Sequence, residues 1–179
     1  MRILGIDPGL TRCGVGIIDV DSMRRNHFVH VAVIRTHPDL ELPQRLLNLE
    51  NALNTILDEF SPDVVAVERV FSQLNVSTAM GTAQASAIAL VNATRRNIAT
   101  HMYTPTEVKA AVTGYGRADK LQVTSMVTRL LALSQAPKPA DAADALALAL
   151  CHALRGVGQQ RVSDFVTQQA KPVSTAGRS

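Results

Sequence analysis

Four acidic residues occupy positions where their carboxylates could act together. Asp7 and Glu68 each follow an apolar run typical of a buried strand, whereas Asp141 and Asp144 lie in an Ala-rich apolar segment. Residues three apart on a helix project to the same side. Four carboxylates without a neighbouring Cys or His cluster suit Mg²⁺ or Mn²⁺ and argue against Zn²⁺. Two such ions could activate water and stabilise the leaving oxygen in phosphodiester hydrolysis.

Each acid also has an ordinary structural explanation. Asp7 precedes Pro8-Gly9, and such a sequence favours a turn for local reasons. Glu68 could be the exposed end of a strand. Asp141 and Asp144 lie at the start of a predicted helix, where the helix dipole favours negative charge. The metal-site hypothesis therefore depends on the four acids as a set.

The spacing of apolar residues predicts the elements that position these acids. Three strands joined by short turns suit an antiparallel meander, and the following strand–helix–strand order implies a crossover with parallel pairing. The predicted strands are Arg2–Asp7, Cys13–Val20, Phe28–Thr36, Asp63–Val70 and His101–Tyr103, and the predicted helices are Pro43–Phe60, Asn75–Asn97, Thr106–Thr113, Asp119–Leu133 and Ala140–Leu154. We expect an α/β fold with one mixed five-stranded sheet and helices on both faces.

The composition predicts one domain with a tail. The chain has 179 residues, of which 46% are hydrophobic and 3% aromatic, so the core must be aliphatic. Residues 1–155 form the expected domain, and the polar, aperiodic residues 156–179 a flexible tail. Cys13 and Cys151 lack CxxC spacing and are expected to be buried thiols. Without a signal peptide or about 18–20 uninterrupted apolar residues, the chain is predicted to be cytoplasmic, with no membrane partner.

The basic residues are unevenly distributed. The formal net charge is +3, but residues 95–138 hold seven basic and two acidic residues. Such a local surplus attracts a polyanion and makes binding salt-sensitive. An ordinary solvated helical surface explains the same pattern equally well.

Three segments resemble the RuvC family of Holliday junction resolvases, which has a ribonuclease H-like fold. They are Ile3–Gly9 (ILGIDPG), Val67–Phe71 (VERVF) and Asp141–Ala147 (DAADALA). The last is the most specific, because many ribonuclease H-like proteins and sugar kinases begin with a strand and Asp-Pro-Gly. The resemblance covers residues 1–155. It implies a nuclease that acts in DNA recombination and repair.

The resemblance also implies partners and site residues. A homodimer would nick a four-way DNA junction at two symmetrically related phosphates, leaving 5′-phosphate ends, and would work with RuvA and RuvB. The implied catalytic metal ligands, for Mg²⁺ or Mn²⁺ and two ions per site, are Asp7, Glu68, Asp141 and Asp144. The predicted DNA contacts are Phe71, Lys109, Arg117 and Lys120. The chain departs from the family pattern because it lacks basic residues near Leu74, Ser77 and Ser86. The resemblance therefore implies no DNA contact by basic side chains at these positions.

Three other hypotheses compete with the junction resolvase. A RuvX/YqgF-type RNA-processing nuclease shares the fold and the Asp-Pro-Gly opening, but its members are usually shorter and lack the DAAD-type ending. A nucleotide-binding domain of the actin or sugar-kinase type needs a duplicated half, for which the chain is too short. A non-catalytic junction-binding protein would gain from losing the acidic residues. Cleavage of a four-way junction, preference for linear RNA, or saturable ATP binding would distinguish them.

Overall fold

The computed structural model describes residues 1–69 and 76–169, and the side chains of residues 1–69 and 79–155. Five strands and five helices form within these residues. The strands are β1 (Arg2–Asp7), β2 (Arg12–Val20), β3 (Asn26–Arg35), β4 (Val64–Glu68) and β5 (Ala99–Tyr103). The helices are α1 (Leu42–Phe60), α2 (Val76–Arg95), α3 (Pro105–Thr113), α4 (Lys120–Leu130) and α5 (Ala140–Gln169).

The strands form one mixed sheet in the order β3-β2-β1-β4-β5. The pairs β1–β2 and β2–β3 are antiparallel, whereas β1–β4 and β4–β5 are parallel. This arrangement confirms the predicted meander and crossover. Because β1 and β4 are parallel and Ile6 pairs with Val67, Asp7 and Glu68 end neighbouring strands at the same edge of the sheet.

Helices bury both faces of the sheet. Helices α3, α4 and α5 cover one face, with Ile3 of β1 in that core, and α1 and α2 cover the other, with Leu4 and Ile6. Strands buried on both faces need apolar residues at nearly every position, which explains runs such as Val64–Val67. The sheet is therefore held rigidly between two apolar layers.

Helix α5 approaches the sheet closely because the strands beneath it carry glycines. A Cβ atom at Gly5 of β1 would lie 2.1 Å from the Ala145 carbonyl oxygen. A Cβ atom at Gly14 of β2 would lie 2.1 Å from the Asp141 carbonyl oxygen. Only glycine allows so close an approach of backbone to backbone. These two positions set the height of α5, and of Asp141, above the sheet.

The predicted element ends differ from the structure by up to three residues, except in α5. That helix was predicted to end at Leu154, but it extends to Gln169. Residues 156–169 begin with two glycines, Gly156 and Gly158, and hold only four apolar side chains, so the periodic pattern that predicts a helix is weak there. The division into a domain (1–155) and a tail (156–179) stays a prediction. Cys13 and Cys151 are buried free thiols, as expected.

Over the described ranges, no helix combines the length and the apolar character needed to cross a bilayer.

Candidate active site

The four predicted acidic residues line one cavity of about 330 Å³. Asp7 comes from the end of β1 and Glu68 from the end of β4. Asp141 and Asp144 come from the start of α5, which lies across these strands. Segments distant in the sequence thus converge at one edge of the sheet.

Two of these carboxyl groups are largely buried and hydrogen-bonded to each other. Burial, followed by the charge of Glu68, raises the pKa of Asp7 far above its ordinary value. Burial also raises the pKa of Glu68, and the charge of Asp144 adds to this, while the hydrogen bond with Asp7 opposes it. Like charges held together away from water favour the protonated forms. A nearby cation would therefore favour the ionised forms of Asp7 and Glu68.

The two carboxylates on α5 each contact a cation. The Asp141 Oδ2 atom lies 3.1 Å from Nε of Arg12, and the Asp144 Oδ2 atom lies 3.3 Å from Nζ of Lys120. The charge of Asp144 is the main reason that the pKa of Lys120 is raised. Lys109 of α3 lines the same cavity. The cluster thus has basic side chains at its border.

The donor set fits a hard divalent cation by its chemistry. In the part of the chain that the structure describes, no three His, Cys, Asp or Glu side chains are close enough, as they stand, to hold an ion together. The cavity nevertheless brings four carboxyl groups together, and burial penalises the charge on two of them. A divalent cation would remove that penalty, and oxygen ligands are those that Mg²⁺ prefers.

The residues predicted to contact DNA lie in different parts of the structure. Lys109 and Lys120 line the cavity with the acids. Arg117 is exposed in the segment between α3 and α4 and is not among the residues that line this cavity. Phe71 lies outside the described residues, so its predicted contact with bases stays a prediction.

Of the three positions that lack the expected basic residues, the structure describes the side chain of one. Ser86 is 4% exposed on α2, so its own side chain belongs to the interior. Leu74 and the side chain of Ser77 lie outside the part that the structure describes.

Sequence reasoning missed two arginines on the other side of the acids. Arg12 and Arg45 line a second cavity of about 490 Å³, which Asp7 and Asp141 also border. Arg12 starts β2, and Arg45 lies in the first turns of α1. No motif marks either residue, because their proximity arises only when β2 and α1 meet in the fold.

Comparisons with known proteins identify the family. The family model for crossover junction endodeoxyribonuclease RuvC matches residues 3–152. A protein of that name from Salinispora arenicola is 59% identical over 163 residues, covering 91% of this chain and 93% of the relative. A protein of the same name from Streptomyces avermitilis is 57% identical over 176 residues, covering 98% of this chain and 100% of the relative. The chain belongs to the RuvC family. RuvC nucleases depend on divalent metal ions, and they cleave crossover junctions in DNA.

Solved structures agree with the RuvC assignment. Thermus thermophilus RuvC in complex with Holliday junction substrate matches with a TM-score of 0.84 and 34% identity, over 89% of this chain and 96% of that one. The yeast mitochondrial resolvase Ydc2 matches with a TM-score of 0.64 and 13% identity, over 93% of this chain and 85% of that one. At this identity the match shows the fold alone. The ribonuclease H-like prediction is confirmed. Membership of the RuvC family decides against the RNA-processing and nucleotide-binding hypotheses.

Proposed function

We propose that this chain resolves four-way DNA junctions through Asp7, Glu68, Asp141 and Asp144, which together hold two Mg²⁺ ions, with Mn²⁺ able to substitute. The observation that carries the proposal is the convergence of these carboxyl groups in one cavity bordered by two lysines. Family membership supplies the reaction, and the cavity supplies the residues. The proposal assigns no role to Phe71 or Arg117 beyond DNA binding.

The reaction is hydrolysis of one phosphodiester bond per subunit. Water adds to phosphorus, the bond to the 3′ oxygen breaks, and the products are a 5′-phosphate and a 3′-hydroxyl. Bound divalent ions would lower the pKa of the attacking water and neutralise charge on the leaving oxygen. Lys109 and Lys120 lie where they can bind and orient the scissile phosphate, because both border the acidic cluster.

Lys120 forms one ion pair with the acidic cluster. Its Nζ lies 3.3 Å from the Asp144 carboxylate, although its side chain is 78% exposed. An exposed lysine is otherwise free to sample many rotamers, which costs entropy when it binds a phosphate. The contact with Asp144 reduces that cost and keeps the ammonium group beside the carboxylates. Capping of α4 by Asp119 fixes the helix start from which Lys120 projects.

The decisive experiment is cleavage of a synthetic four-way DNA junction with and without Mg²⁺, with linear duplex as the control. Paired, symmetrical nicks that need both the metal and the branch are expected. Asp7→Asn should abolish cleavage and leave junction binding intact. Asp58→Asn is the matched control, because Asp58 is an exposed carboxylate on α1 whose side chain is 65% accessible. Wild-type cleavage by Asp7→Asn would overturn the assigned role.

The same proposal includes a homodimer with one active site per subunit. Heterodimers that combine a wild-type subunit with an Asp7→Asn subunit should nick one strand only. Two nicks from such a heterodimer would contradict it. We also propose that the enzyme acts in the cytoplasm with RuvA and RuvB, as an enzyme of recombination and repair. Binding of the purified chain to a RuvA–junction complex, compared with the junction alone, tests that partnership.

A further inference from the structure

The second cavity beside the carboxylates has the chemistry of an anion site. It is lined by Arg12, Arg45 and the turn that follows Asp7. Asp7 and Asp141 border both this cavity and the one that holds the lysines. The two cavities therefore meet at the acids, with cations on both sides.

Arg45 is held rigidly but keeps most of its hydrogen-bonding capacity. Its Nε donates to Oγ1 of Thr36 at 2.9 Å, and its Nη2 donates to Oγ1 of Thr11 at 2.8 Å. A guanidinium has five N–H donors, so these two bonds leave three. Among the residues with described side chains, no carboxylate forms an ion pair with Arg45. Its positive charge is thus available to a ligand.

The turn between β1 and β2 is fixed by its neighbours. Thr36, which is 4% exposed, donates its hydroxyl to the Leu10 carbonyl oxygen and accepts from Arg45. A Cβ atom at Gly9 would lie 2.2 Å from the Arg12 carbonyl oxygen, so the turn is tight. Gly81 of α2 closes the cavity from the other side, where its Cβ atom would lie 3.5 Å from Leu10 Cβ. A site held in this way binds a ligand without first becoming ordered.

Arg12 connects this cavity to the acids. Its Nε lies 3.1 Å from the Asp141 carboxylate, and its side chain is 56% exposed. One contact of this kind leaves the Nη groups free to donate to a second anion, because the guanidinium is planar and presents several donors. Arg12 can therefore bind a phosphate while it stays beside Asp141.

We propose that Arg12 and Arg45, with the Thr11 hydroxyl, form a seat for a backbone phosphate of the cut strand, next to the scissile phosphate and on the side opposite Lys109 and Lys120. The proposal rests on the proposed nuclease function. The ligand is a DNA phosphodiester that the enzyme binds but does not cleave. Arg12 and Arg45 are positioning residues in this scheme, because they act on the neighbouring phosphate and set the register of the strand over the carboxylates.

The test uses the full chain and a four-way junction in Ca²⁺ or EDTA, so that binding is measured without cleavage. Arg12→Gln should weaken junction binding about tenfold and reduce the slope of log affinity against log salt by about one. Arg25→Gln is the matched control. Its partner is also an aspartate, at 2.8 Å, and its side chain is 62% exposed. Arg25 lies beyond the far end of β2, roughly 26 Å or more along the strand from Arg12.

A second measurement identifies the phosphate. Junctions with a single neutral methylphosphonate at each position around the cleavage site should show one neighbouring position, on one side of the scissile bond, where the wild-type protein loses affinity. Arg12→Gln should lose no further affinity at that position, because the two changes remove the same interaction. Arg12→Lys should restore the salt slope but only part of the affinity, because an ammonium group is a point charge and cannot bind bidentately.

The outcomes separate the phosphate seat from the nuclease proposal. The seat would be overturned if Arg12→Gln kept the wild-type salt slope. It would also be overturned if Arg12→Gln lost as much affinity as the wild-type protein at every methylphosphonate position. Cleavage by the wild-type protein would still support the nuclease. A wild-type protein that neither binds nor cuts the junction would overturn both. Thermal unfolding of each variant checks that the fold is intact, which is expected because Arg12 and Arg25 are both exposed.

Discussion

Replacing Gly14 by alanine should damage the active site through the backbone of α5, without touching any acidic side chain. Gly14 lies on β2 directly beneath the first turn of α5. Its added Cβ atom would stand 2.1 Å from the Asp141 carbonyl oxygen and 3.3 Å from Ala145 Cβ. The nearest atom belongs to backbone, so no rotamer change relieves the contact.

The size of the displacement follows from these distances. Real Cβ atoms essentially never approach a neighbour below 3.0 Å, so the start of α5 must move by about 0.9 Å from its position 2.1 Å away. Overpacking of this kind costs about 1–3 kcal/mol of stability. A misplacement of about 1 Å in a catalytic group costs about 10²-fold in rate. We expect Gly14→Ala to show both effects, with junction binding changed much less.

The assay compares urea unfolding, junction binding in Ca²⁺ and cleavage in Mg²⁺ for three variants. Gly16→Ala is a graded comparison, because its Cβ atom would lie 2.8 Å from the Leu146 backbone nitrogen, two residues beyond Asp144. The shift needed to reach 3.0 Å is smaller than for Gly14→Ala, so this variant should lose less stability and less cleavage. Gly81→Ala is the control for stability alone, because Gly81 lines the cavity of the proposed phosphate seat. It makes only an ordinary 3.5 Å contact, and should gain about 0.5–1 kcal/mol from helix propensity. Wild-type cleavage by a well-folded Gly14→Ala would refute the argument.

Three further predictions concern charge. Burial raises the pKa of Asp7 from 3.8 to about 8, so its favourable contribution to folding is fully present below pH 3.8 and is lost as pH rises through about 8. The unfolding free energy of the metal-free protein should fall across this window in urea titrations, and Asp7→Asn should flatten the profile. Each Mg²⁺ ion bound at 100 times its Kd should add about 2.7 kcal/mol to stability, measured as a higher Tm that a chelator reverses, whereas a metal-independent Tm would contradict the site. Lys120→Gln should weaken junction binding and lower its salt slope by about one, and an unchanged slope would exclude a phosphate contact.

Local sequence patterns were sufficient to predict the sheet. The apolar runs of β1 and β4 have no polar alternation, which is the expected composition of strands buried on both faces, and the structure places them in parallel at the centre. Their parallel pairing brings Asp7 and Glu68 to one edge. The fold and the shared location of the four acids could therefore be predicted, whereas the electrostatic state of each acid depends on burial, which one sequence does not specify.

The arginines could not be predicted, for a different reason. Arg12 and Arg45 are 33 positions apart in the sequence. Their common cavity exists because Thr36, at the end of β3, links Arg45 to the turn before β2. Such tertiary proximity leaves no periodic or motif signal. The extension of α5 beyond Leu154 escaped prediction because Gly156 and Gly158 are unfavourable in a helix and few apolar residues follow them.

The chain order of the four acids has a consequence for the newly made protein. Asp7 and Glu68 are synthesised early, but Asp141 and Asp144 follow only after 72 or more further residues, on the helix that also completes one apolar layer of the sheet. Under the proposed assignment of ligands, a chain emerging from the ribosome has no complete metal site until α5 has been made and has packed. We therefore expect the ability to cut DNA to arise together with the finished core, and fragments that lack α5 to have no nuclease activity.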